Sequence, residues 1–197
     1  MVGLIKKGLV EIERRRARSA VPDFKLAQQV LNGDIQSFDQ LTERYQDQVY
    51  RFILKHVPLE QAEDLAQETF ISVYENLGQF KGDSKFSTWM YGIAINKIRN
   101  YLNRTPERRY RHDSVDILPE RQSREASPLD RLEQIQQVKY LLDQLPQDLK
   151  EVIIFVSLEE LSYEETAKAM NIPVGTVRSK VFRARQMMKD KANELEL

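Results

Sequence analysis

The sequence predicts an all-α protein of two small helical domains joined by a flexible linker, the first a bundle and the second a helix-turn-helix unit. Three observations predict it. Apolar residues recur at three- and four-residue intervals from Asp23 to Arg104 and again from Leu129 onward. Between them, residues 105–128 lose that period and gain Pro106, Pro119, Pro128 and many charges. About 20 residues without pattern are out of place inside one compact domain. Finally, Leu161–Met188 carries a capped short helix, a tight break and a basic helix in succession. The expected division is a basic N-terminal tail 1–22, a first domain 23–104, a linker 105–128 and a second domain 129–197.

In the tail, Leu4, Ile5, Leu9, Val10 and Ile12 stand beside Arg14, Arg15, Arg16 and Arg18. Two readings stay open: a short basic amphipathic helix touching nucleic acid or a membrane surface, or a frayed end. Asp23 is placed to cap a helix through Leu31, and Asn32-Gly33-Asp34 to stop it. Ser37 is expected to cap a longer helix with Phe38, Leu41, Tyr45, Val49, Phe52 and Ile53 inward. After Pro58, the expected buried stripe is Ala62, Leu65, Ala66, Phe70, Val73, Tyr74 and Leu77. Asp64, Gln67, Glu68, Ile71 and Glu75 lie opposite, an acidic face with one bare Ile at its centre. That face is either a docking surface, an apolar anchor ringed by charge, or a solvated face with a stray Ile.

Gly78 ends that helix, and a Gly-containing loop leads to Phe86–Arg104, with Ser84 or Ser87 as candidate cap. Here Phe86, Met90, Ile93, Ala94, Ile98 and Tyr101 form an apolar face. Lys85, Trp89, Gly92, Asn96, Arg99, Asn100 and Asn103 lie opposite. Trp89 is the chain's one tryptophan. Beside amides and cations it suits stacking on unpaired bases while phosphates are held; the plainer alternative packs Trp89 beneath a neighbouring helix.

In the second domain, Leu129, Leu132, Ile135, Val138, Leu142 and Leu145 mark one helix. Pro146 opens the next, with Leu149, Val152, Ile153 and Val156 in its core. Ser162 and Glu165 have capping-box spacing, and Asn171-Ile172-Pro173 breaks the short helix that follows. In the last helix Val177, Val181, Ala184 and Met188 point inward. Ser179, Phe182, Arg183 and Gln186 point outward, with Arg178, Lys180 and Arg185 at the flanks. A generic helical hairpin with a cationic face is the competing description.

Lys plus Arg is 30 and Asp plus Glu is 30, so overall charge says nothing about partners, although basic and acidic residues are segregated along the chain. The sequence has no Cys, which excludes a disulfide framework and a thiolate metal site. His56 and His112 lack metal-ligand spacing, and no phosphate-cradling Gly loop occurs. The chain therefore reads as a non-enzyme with no catalytic residues, metal or cofactor. Its apolar runs fall short of the about 20 residues that span a bilayer. The N-terminus lacks a signal-peptide core. It is expected to be cytoplasmic and not integral to a membrane.

The segments DLAQETFISVYENLGQF (Asp64–Phe80), FSTWMYGIAINKIRNYL (Phe86–Leu102) and LSYEETAKAMNIPVGTVRSKVFRAR (Leu161–Arg185) together resemble the bacterial sigma-70 family, in its small extracytoplasmic-function (ECF) group. The resemblance covers roughly Phe24–Asn193. It implies a sigma region 2 bundle and a sigma region 4 helix-turn-helix. It also implies a factor that binds core RNA polymerase, directs it to promoters and assists melting, in a stress or envelope response. Asp64, Gln67, Glu68 and Ile71 would meet the polymerase clamp helices, and the flap is a further contact. Phe80, Lys85, Phe86, Trp89, Asn96, Arg99 and Asn100 match the segment that reads the minus-ten element and holds its strand melted. Trp89 would act there by base contact or by packing beneath. Thr176, Arg178, Ser179, Lys180, Phe182 and Arg183 match the helix that reads the minus-thirty-five element in duplex DNA. An anti-sigma factor is a further partner the resemblance implies. The rival reading is a helix-turn-helix regulator that binds a palindrome as a dimer without polymerase. It leaves the Phe80–Arg104 stripe without a task.

Overall fold

The computed structural model describes residues 21–104 and 128–194. The tail 1–20 and the linker up to Ser127, with the readings placed on them, lie outside the described residues. Those residues form eight α-helices and no strand. The first four are α1 (Asp23–Leu31), α2 (Gln36–Leu54), α3 (Leu59–Glu75) and α4 (Phe86–Arg104). The second group is α5 (Pro128–Asp143), α6 (Gln147–Ile153), α7 (Tyr163–Met170) and α8 (Val174–Glu194). A π-helical turn over Ile154–Leu158 follows α6.

Two residues expected as caps take other partners. Pro22 is the N-cap of α1, and Asp23 sits in its first turn. The Asp23 carboxylate pairs with Arg44 and accepts a hydrogen bond from Tyr45 Oη at 2.6 Å. A capping bond to a carboxylate is charge-assisted as well, and the Arg44 cation adds a full opposite charge to the donors this carboxylate meets. Ile35 is the N-cap of α2, and Ser37 is buried instead, its Oγ 2.8 Å from Asp34 Oδ2. Gly33 has φ +98°, a conformation an L side chain rarely adopts, which is why the turn after α1 carries glycine.

In the first group α2 buries Leu41, Val49, Phe52 and Ile53, and α4 buries Phe86, Met90, Tyr91, Ala94, Ile95, Ile98 and Leu102. The stripe expected on α3 is rotated. Ala62, Leu65, Thr69 and Val73 are inside, with Thr69 Oγ1 donating to the Leu65 carbonyl, whereas Tyr74 is exposed. In the second group Leu142, Leu145, Leu149, Val152, Ile153, Val177, Val181 and Ala184 are buried, but Val138, expected inside, is exposed. Ser162 and Glu165 form the capping box, with the Glu165 N–H donating to Ser162 Oγ at 3.1 Å and the Ser162 N–H to Glu165 Oε2 at 2.9 Å. Asn171 closes α7 in the left-handed conformation, φ 53°.

The two groups meet along a seam between α4 and α7. Phe155 crosses it, its ring centroid 5.1 Å from Phe52 and 6.0 Å from Tyr91. At Gly92 the helices touch backbone to backbone, because a Cβ there would lie 2.9 Å from the Ala169 carbonyl oxygen. The face of α4 expected to point outward is therefore covered at its middle.

Ser162→Ala is expected to lower stability by about 1 kcal/mol, the usual cost of losing a serine N-cap. The midpoint of urea unfolding, with unchanged slope, checks this.

Candidate nucleic-acid and protein interfaces

The aromatic residues before and within α4 stack into one cluster. Phe80 lies 5.2 Å from Phe86 and 5.4 Å from Trp89, and Phe86 lies 5.7 Å from Trp89. Phe24 and Tyr45 extend it from α1 and α2. Phe80 and Phe86 are buried, so their rings form a floor, while Trp89 is half-buried on top of them. Gly82 has φ +79° and a Cβ there would meet the Phe24 ring at 3.0 Å, so the preceding loop lies directly on the cluster.

Asn96 and Asn100, one helical turn apart, are both exposed on α4. The two cations expected beside them are paired across the seam. Lys85 Nζ lies 2.9 Å from Glu165 Oε1, and Arg99 donates from Nε at 3.0 Å and Nη2 at 2.7 Å to Glu151 Oε2. Nearby, Glu159 accepts from both Lys55 and the Tyr91 hydroxyl. Burial first, and the Glu159 charge second, push the Tyr91 phenol well above its ordinary pKa, so it remains a donor. Lys168 Nζ adds a bond to the Asp83 carbonyl at 2.6 Å. Nothing in the helical period of either half announces these partners.

On α8, Val177, Val181 and Ala184 anchor the helix inward, and Arg178, Ser179, Phe182 and Arg183 are exposed on the far side. Phe182 is 71% exposed, a cost in water that folding alone does not repay. Thr176 is half-buried and its carbonyl accepts from Ser179 Oγ at 2.9 Å. Lys180 pairs with Asp148 of α6, which holds the Asp148 carboxyl below its ordinary range.

A groove of about 840 Å³ runs between α2 and α3. Phe38, Phe70, Ile71 and Tyr74 form its apolar walls, and Asp39, Asp47 and Glu63 its acidic rim. Phe38 and Tyr74 meet edge to face at 5.0 Å. Of the four residues expected at this surface, Gln67 and Ile71 line the groove. Asp64 and Glu68 are exposed but do not line it, and Glu68 lies 3.7 Å from Lys97. Ile35 and Phe38 were missed, although Ala66, Phe70 and Tyr74 at four-residue spacing made the apolar stripe of α3 wider than one contact needs. Among the described residues no group of His, Cys, Asp and Glu is arranged to hold a metal. No helix there is long and apolar enough to cross a membrane.

The Glu165 carboxyl is also held below its ordinary 4.5, first by the Ser162 backbone N–H and then by Lys85. A depressed folded-state pKa contributes stability that is present above the ordinary value and lost as pH falls through the folded one. Unfolding free energy is thus expected to decline below about pH 4.5. Glu165→Gln makes that decline shallower, and urea titrations between pH 7 and pH 3 measure it.

Comparison with known families matches residues 41–108 to Sigma-70 region 2 and residues 135–188 to Sigma-70, region 4. The ECF RNA polymerase sigma-E factor of Salmonella typhimurium (strain 14028s / SGSC 2262) is 37% identical over 183 residues, 88% of this chain and 95% of the relative. The structure of CnrH in complex with the cytosolic domain of CnrY aligns with TM-score 0.65 and 25% identity, covering 87% of this chain and 97% of that one. The sigma factor RpoE from Bartonella quintana, solved with the anti-sigma factor NepR, shares the fold at TM-score 0.61 and 24% identity, over 79% of this chain and 96% of that one.

Proposed function

The chain belongs to the sigma-70 family, as an ECF RNA polymerase sigma factor of transcription initiation, and from that membership we propose how its surfaces divide the work. Such a factor is a polymerase subunit without catalysis of its own. The observation that carries the proposal is the coexistence of an aromatic- and amide-bearing helix, α4, an exposed basic helix, α8, and a separate acid-rimmed apolar groove.

The groove between α2 and α3, with Gln67 and Ile71 in it and Asp64 and Glu68 on its flank, takes the clamp helices of core polymerase. Apolar anchors supply affinity there, and the acidic rim selects a basic partner. Arg178, Ser179, Phe182 and Arg183 on α8 enter the duplex at the minus-thirty-five element, with Thr176 and Lys180 at the margin. Cations bring position and salt-dependent affinity, and a side chain bidentate to a base adds about 1–3 kcal/mol of discrimination. On α4, Asn96 and Asn100 meet extruded bases of the minus-ten strand, while Lys85 and Arg99 hold its phosphates. Phe80 and Phe86 support Trp89 from beneath, so Trp89 stacks as a braced edge at the bubble. These contacts offset an unstacking cost of about a few kcal/mol per base.

The fuller reading has the regions meet at residues 105–128, sets the action in the cytoplasm, and links the regulon to an envelope stress like that implied by the sigma-E relatives. It also includes an anti-sigma partner, supported by the RpoE–NepR complex of the same fold.

Run-off transcription from genomic fragments tests the function. Discrete new transcripts that need both core polymerase and this chain are expected, with a common upstream motif. No transcripts, together with tight duplex binding by the chain alone, would favour the dimeric regulator. Arg183→Ala should cost promoter use roughly 1–3 kcal/mol and relax preference at one upstream position. A promoter-variant screen with unaltered preference would remove Arg183 from the readers.

A further inference from the structure

The groove between α2 and α3 leaves apolar surface bare. Ile35 is 60% exposed, Ile71 59% and Tyr74 45%, and all three line it. Apolar side chains gathered in one concave strip mark a surface that another segment covers. Asp39, Asp47 and Glu63 line it too, and among the described residues that do so there is no Lys or Arg. Its occupant is therefore apolar on one side and basic on the other. A second copy presenting the same groove about a two-fold axis would bring carboxylate against carboxylate.

The segment before Val21 has the matching composition. Val2, Ile5, Leu9 and Ile12 recur at steps of three, four and three, the spacing of a narrow helical stripe. Among them and after them stand Lys6, Lys7, Arg14, Arg15, Arg16 and Arg18, against Glu11 and Glu13 alone. Where the segment joins the described residues, the Val21 carbonyl accepts from Arg44 Nη1 at 3.1 Å, which fastens it to α2, one wall of the groove. The chain from Ile12 to Val21 extends to about 30 Å, and α2, with 19 residues, is about 28 Å long. Ile12 can thus reach any part of the groove.

We infer that residues 2–18 of this chain are an internal occupant of the α2–α3 groove, with their apolar stripe against Phe38, Phe70, Ile71 and Tyr74 and their cations along the acidic rim. Covalent attachment gives the segment an effective concentration on the order of mM, so an interaction too weak to hold a separate peptide fills the groove. The segment and the basic partner proposed for the groove have the same chemistry, and each displaces the other. That competition rests on the reading of the groove as the polymerase site; the docking itself does not. Assembly with polymerase then begins with release of the tail, and salt, which screens the rim, eases that release.

The chain has no Cys, so Gly8→Cys takes a single nitroxide label in the full-length protein. Amide resonances close to the label broaden. Broadening is expected at Thr42, Gln46 and Gln67, which line the groove, and not at Arg178 or Arg183 on α8. It is expected to fade as salt rises and to vanish when Ile5→Asp and Leu9→Asp are added, substitutions that leave the described core untouched. Asp47→Lys with Glu63→Lys, both at exposed positions, expels the tail from the other side. A label that broadens none of the groove resonances, or all helices equally, overturns the docking. If the groove stays bare while phosphatidylglycerol vesicles or a 12-nucleotide single strand retain the tail, the segment belongs to a membrane surface or to nucleic acid, and the docking is likewise overturned. A groove filled about 80–90% of the time is free for about 10–20%, so the Ile5→Asp, Leu9→Asp chain is expected to bind core polymerase about 5- to 10-fold more tightly. Unchanged polymerase affinity beside clear groove broadening upholds the internal occupant and counts against the groove as the polymerase site alone.

Discussion

The contact between Gly92 of α4 and the Ala169 carbonyl of α7 sets the spacing on which the rest of the structure depends. A glycine inside a helix costs about 1 kcal/mol relative to alanine. That cost goes with an approach close enough for Phe155 to reach Phe52 and Tyr91, and for Glu151, Glu159 and Glu165 to reach Arg99, Lys55 and Lys85. Were the two helices at the 8–10 Å separation common for larger side chains, fewer of these pairs would close at once. One hydrogen atom in place of a methyl group thus brings an aromatic wedge and a row of ion pairs into register.

Those ion pairs specify more than they stabilise. Glu151 is buried and Lys55, Arg99 and Glu159 are partly so, and taking charges from water consumes much of the Coulombic gain. Removing one member leaves the other charge poorly solvated, which is the costly event. A seam built this way tolerates one relative placement of the halves and penalises sliding. Apolar contact at Phe155 supplies attraction that is indifferent to such sliding. Together they make a joint that is definite in position without being deep.

Helical class, element order and the helix-turn-helix were legible because apolar spacing, Pro22, Pro58, Pro146 and the Ser162–Glu165 box each act locally. The family was legible from three segments in order. Asp23 and Ser37 were misread as caps because a carboxylate or hydroxyl at a helix start has rivals that only the fold brings near, Arg44 and Tyr45 for one, Asp34 and Gln29 for the other. On α3 the period showed where apolar residues lie but not which of them a second helix covers. Hence Tyr74 and Phe70 proved to be groove wall. Phe80 and Phe86 had the right composition for a base-reading surface, yet both are buried beneath Trp89, which the period alone does not tell. The seam itself left no trace, since Gly92, Arg99 and Lys85 look like any solvated face until α7 is laid on them.

The hydrogen bond from Lys55 to Glu159 joins residues 104 positions apart in the chain. A ribosome adding about 5–20 residues per second takes roughly 3–12 s to pass from Arg104, the end of α4, to Glu165. For that time the amino-terminal bundle exists without the full carboxylate edge to lie against. Each newly made copy therefore passes through a juvenile period in which Lys85 and Arg99 lack the carboxylates they meet in the finished chain. The fraction of such copies rises with the rate of synthesis, so a burst of translation changes the state of the pool as well as its size.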